Sequence, residues 1–66
     1  MTDDEIREAL PGMRQRAFNV TPLSLYAEEH VALIELIINC EGILRGFPPT
    51  KPRQEIEAAV QRELDR

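Results

Sequence analysis

The stretch from Thr21 to Gly46, TPLSLYAEEHVALIELIINCEGILRG, is apolar at most positions of its second half. On a wheel of about 100° per residue, Glu28, Glu35, Asn39 and Gly42 fall on one narrow stripe. Val31, Leu33, Ile34, Leu36, Ile37, Ile38, Cys40, Ile43 and Leu44 occupy most of the remaining circumference. This spacing predicts one long helix. Thr21 is placed to cap it, Pro22 fits a first helical position where no N–H is needed, and Val20 and Leu25 stand at hydrophobic-staple positions. Gly46 supplies a left-handed stop, and Pro48 and Pro49 prevent continuation.

Shorter amphipathic segments flank this helix. Thr2 and Glu5 have capping-box spacing, and Asp3, Asp4 and Glu5 suit the positive end of a helix dipole. Ile6, Ala9 and Leu10 then form a narrow apolar edge, and Pro11-Gly12 predicts the end of the element. Residues 13–20 read as a connector that Phe18 and Val20 pin to the core, with Arg14 and Arg16 outward. After the long helix, GFPPTKP is a stiff elbow that lets Phe47 fold back onto the core. A last helix, starting at Thr50 or Lys51, carries Ile56, Ala59, Val60 and Leu64 on one stripe. The expectation is an all-α chain of three helices (short, long central, short) in one domain spanning residues 1–66.

An apolar arc this wide changes the picture of how the chain exists in solution. The 24 helical residues between Thr21 and Gly46 would span about 36 Å, whereas a globule of 66 residues is only about 28 Å across. The narrow stripes of the flanking helices cannot cover what projects. A homodimeric helical bundle is therefore expected, its seam made of Leu23, Ala27, His30, Ile34, Ile37, Glu41 and Leu44. In an antiparallel seam Ile34 faces Ile37 of the second copy, Ala27 faces Leu44, and His30 faces Glu41, so that neither polar group is buried unpaired. Burying that arc leaves Glu28, Glu35 and Asn39 as an exposed ridge for a partner protein.

Composition and charge exclude several function classes. The formal net charge of −4 opposes general affinity for nucleic acid and anionic membranes. The acidic start, MTDDEIRE, lacks the basic and apolar regions of a signal peptide, which points to the cytoplasm. Glu28, Glu29, His30, Glu35 and Glu41 interrupt any span of about 20 apolar residues, so no membrane crossing is expected. Cys40 is the sole cysteine, so neither an intrachain disulfide nor a cysteine-rich zinc site can form. It reads as a small hydrophobe in the arc.

The hydroxyls of Thr21 and Ser24 are explained by capping and have no nearby histidine, and no glycine-rich phosphate loop is present. No catalytic residue, cofactor site or metal site is therefore expected, and the chain reads as a non-enzyme. Two function classes follow. The first is a small acidic protein–protein interaction module, acting as a homodimeric adaptor, regulator or inhibitor. In size and charge it resembles phage-encoded inhibitors such as anti-CRISPR proteins, although no motif carries that likeness. The second is a nucleic-acid-associated regulatory module using Arg14 and Arg16 with Arg45, Lys51 and Arg53.

Overall fold

Ile6, Ala9, Leu10 and Met13 lie on one helical stripe, and all four are buried. They belong to α1 (Asp3–Phe18), the first of three helices in a computed structural model that describes residues 2–19 and 27–66. The others are α2 (Glu28–Leu44) and α3 (Arg53–Leu64), and no strand occurs among the described residues. α1 starts where the acidic turn places it. Thr2 is extended at its N-terminus, but it contributes its carbonyl rather than its hydroxyl, accepting the Glu5 N–H at 3.2 Å.

Pro11-Gly12 does not end α1. Pro11 removes one intrahelical hydrogen bond, yet the helix runs on to Phe18. Met13 lies on the same stripe as Ile6 and Leu10, and only a continued helix places it in the core, with Ala17 partly buried behind it. Tertiary burial outweighs the local breaker. Phe18 does not pin anything to the core, because it is 87% exposed.

α2 is shorter than the sequence predicts. Ala27 is extended, with φ −62° and ψ 141°, so the helix begins at Glu28. The expected cap at Thr21, Pro22, the Val20–Leu25 staple and Leu23 lie outside the described residues. The 17 residues of α2 rise about 25 Å, less than the 34 Å longest dimension of the molecule. At that length α2 fits within the molecule and does not project from it as a helix beginning at Thr21 would. The C-terminal stop is as expected. Gly46 has φ +87°, its N–H donates to the Ile43 carbonyl at 3.0 Å, and the Phe47 N–H donates to Gly42 at 2.8 Å. These paired bonds close a Schellman motif.

Phe47 packs beside Gly42 instead of returning to the core, and it stays 63% exposed. Pro52 is extended (ψ 138°), so α3 starts at Arg53, slightly later than expected. α1 and α3 run in the same direction. Arg53 pairs with Asp3 at their starts, at 3.4 Å, and Arg16 pairs with Glu63 near their ends. All three helices contribute to one core, with Leu33, Cys40 and Ile43 from α2 meeting Ile56 and Val60 from α3. Among the described residues, no helix is long and apolar enough to cross a membrane.

Candidate functional site on the outer face of α2

α2 carries two apolar faces. Leu33, Cys40 and Ile43 are buried against α1 and α3, with Leu36, Ile37 and Leu44 packed beside them. On the opposite side Val31, Ile34 and Ile38 are 43%, 37% and 62% exposed. Their spacing of three and four residues makes a continuous stripe along the helix. Exposed Ala27 extends it at one end, and Gly42 with Phe47 extends it at the other.

This stripe is not the predicted seam but a neighbour rotated around the helix. Of the predicted residues, Ala27 and Ile34 do lie on the exposed face. Ile37 and Leu44 instead face the core, because three helices need that side of α2 to close around Met13 and Val60. Glu41 is drawn to α1, where Arg14 donates to its Oε1 from Nε at 3.2 Å and from Nη2 at 3.0 Å. His30 is half-buried at the edge between the faces. Leu23 lies outside the described residues. Val31 and Ile38 were legible as apolar, but a wheel alone does not say which side of a wide arc faces inward.

The predicted ridge also divides. Glu28 is exposed, and Glu35 is exposed with Lys51 Nζ at 3.3 Å. Asn39 is not on an exposed ridge. It is 6% exposed, and its Oδ1 accepts the Thr50 backbone N–H at 2.9 Å and the Thr50 hydroxyl at 3.3 Å. The physical reason is the elbow, which brings Thr50 back over α2 and turns a polar helix position into an anchor.

Most of the basic groups proposed for nucleic acid have carboxylate partners. Arg14 pairs with Glu41, Arg16 with Glu63, Lys51 with Glu35, and Arg53 with both Asp3 and Glu57. Burial lowers the Arg16 pKa, and the nearby Arg66 charge adds to the effect. Cys40 is fully buried, and its thiol is pushed up to about 11, first by burial and then by the Glu41 charge. It is a core residue, without the electropositive surroundings of a reactive thiol. Among the described residues, no group of three or more His, Cys, Asp or Glu side chains could hold a metal ion.

No protein-family model, curated protein or solved structure matches the chain.

A groove of about 550 Å³ runs beside the outer stripe, between α2 and α3. Its floor includes Leu33, Leu36, Ile56 and Ala59. Lys51, Glu35 and Asn39 mark one end, where the elbow closes it, and Arg16, Arg62, Glu63 and Arg66 mark the other. The two surfaces share the Glu35 edge but use different sides of α2.

Proposed function

We propose that this chain is a protein-interaction module that works as a homodimer, with α2 packed against α2 of a second copy. Its role is to bind, as an adaptor, regulator or inhibitor acting in the cytoplasm, and not to catalyse. The observation that supports this is the exposed stripe of Val31, Ile34 and Ile38, set opposite the core face of the same helix. A folded chain of 66 residues has few large apolar side chains to spare, and the grouping of three of them on one outer face supports an interface there.

A second copy is the occupant because the stripe is self-complementary under a two-fold axis. In an antiparallel pairing Val31 meets Ile38 of the second copy, Ala27 meets Gly42, and the two Ile34 side chains lie beside the axis. Small residues thus stand at both ends and branched residues in the middle. The exposed Phe47 beside Gly42 fits the space left by Ala27 of the other copy. The stripe is about 22 Å long at 1.5 Å per residue. Such a contact buries on the order of 1,000 Å² in all, at the low end for a specific interface. Each copy carries −4, so added salt strengthens the dimer by screening repulsion.

Size-exclusion chromatography with light scattering tests this between about 1 and 200 µM. The mass should rise from 7.6 kDa toward twice that value. Ile38→Glu should hold it at the monomer mass with unchanged far-UV circular dichroism, since Ile38 is 62% exposed. A wild-type chain that stays monomeric across the range overturns the reading.

A further inference from the structure

We propose that the groove between α2 and α3 seats an amphipathic helix from a partner protein, with the acidic N-terminal turn of that helix at Arg62 and Arg66. The inference rests on the interaction-module reading and names the site by which that module would hold its partner. Two observations carry it: the shape of the groove and the distribution of its charges.

The groove has an apolar floor and two helical walls. An extended segment laid into it would bring unpaired backbone N–H and C=O groups against Leu33, Leu36 and Ile56, whereas a helix satisfies its own. The distance along α2 from Glu29 to Asn39 is about 15 Å, or close to three helical turns. That length accepts a helix of about 12 residues with apolar side chains three and four apart.

Charge sets the direction. At one end Arg16, Arg62 and Arg66 line the groove with Glu29 and Glu63. Arg16 and Arg66 both approach the Glu63 carboxylate, while among the described residues Arg62 makes only a hydrogen bond to the Ala58 carbonyl, at 3.3 Å. This end therefore carries an excess cation that a carboxylate can meet. At the other end Lys51 lies with Glu35 and Glu55, leaving an excess anion. A helix with acids in its first turn and bases in its last, the arrangement its own dipole favours, fits one way round.

The test uses the full chain and two fluorescein-labelled, C-amidated peptides of about 12 residues. The first has two glutamates in its first turn, two lysines in its last, and leucines three and four apart between them. The second exchanges the charged residues end for end. Fluorescence anisotropy should show the first binding at least about tenfold tighter, a difference of about 1.4 kcal/mol. The exchanged peptide is intrinsically less helical, so the decisive reading is how a groove variant changes the ratio. Arg62→Glu should bring the ratio to one or below. Ala58→Trp, at an exposed position on the groove wall, should weaken both peptides at least about tenfold. Ile38→Glu should leave both affinities unchanged, whether or not the wild-type chain dimerises. No binding of either peptide at millimolar concentration, a ratio that Arg62→Glu does not move, or loss of binding in Ile38→Glu would each overturn the groove. A monomeric wild-type chain that keeps the charge-dependent ratio sinks the dimer and leaves the groove standing.

Discussion

Asn39 in α2 holds the elbow that leads to α3, its Oδ1 accepting the Thr50 backbone N–H at 2.9 Å. Thr50 lies between Pro49 and Pro52, in a segment with little helical or sheet bonding of its own. A buried carboxamide is thus the fixture that sets where α3 begins relative to α2. Asn39→Ala removes the acceptor and leaves the elbow without its anchor. Unfolding in urea should show a loss of about 1–3 kcal/mol. Thr50→Ala keeps the backbone donor and should cost well under half as much. Equal losses from the two variants would place the anchor in the hydroxyl.

Backbone geometry predicts opposite signs for two glycines. Gly46 has φ +87° at the end of α2, and Gly46→Ala should destabilise by about 1 kcal/mol. Gly12 lies inside α1 with nothing within 4 Å of an added Cβ, so Gly12→Ala should stabilise by about 0.5–1 kcal/mol. Thermal melts of the two variants are the check.

Pro11 interrupts α1 without ending it. Pro11→Ala restores one intrahelical donor and relieves the clash of the ring with the preceding turn. It should raise stability by about 1–3 kcal/mol and slow amide exchange in the first half of α1. A destabilised Pro11→Ala variant would mean that the helix is shaped around the proline.

The Arg16–Glu63 pair closes the far end of α1 on α3, and the Glu63 carboxylate is mostly buried. Glu63→Gln leaves Arg16 near Arg66 without a counter-charge. The expected cost is about 1–3 kcal/mol, because removing one partner of a desolvated pair strands the other. Glu57→Gln, at the more exposed Arg53 pair, should cost less than about 1 kcal/mol.

Cys40 links stability to alkaline pH. Its folded-state pKa is raised from 9.0 to about 11 by burial, so the folded chain holds the thiol proton more tightly than the unfolded chain does. That contribution is fully present below pH 9 and is lost as the pH rises toward about 11. Stability measured by urea unfolding should fall over this window, and Cys40→Ala should flatten part of the fall while costing a cavity at all pH values. At pH 8, alkylation by iodoacetamide should proceed only through unfolding, so its rate should rise with urea.

Three helices, their apolar stripes and the glycine stop of α2 were legible in the sequence, because each is a local pattern. Ile6, Ala9 and Leu10 share a face by spacing alone, as do Ile56 and Val60, and the left-handed residue at Gly46 needs only its own backbone. Pro11-Gly12 misled for the same reason. A local breaker reads as a boundary, and only the core contact of Met13 shows that continuing the helix is favourable. The start of α2 at Glu28 was likewise hidden behind the plausible cap at Thr21.

What tertiary structure alone decided is which side of α2 faces inward. The sequence supplies an apolar arc wide enough for two faces, and helical periodicity is indifferent to rotation about the axis. α1 and α3 fixed that rotation by packing against Leu33, Cys40 and Ile43, which turned Val31, Ile34 and Ile38 outward and drew Glu41 to Arg14. Asn39 was sorted the same way. Its type and position suit an exposed ridge, and the return of the elbow over it made it an anchor, because a buried amide oxygen and a buried backbone N–H each need the other.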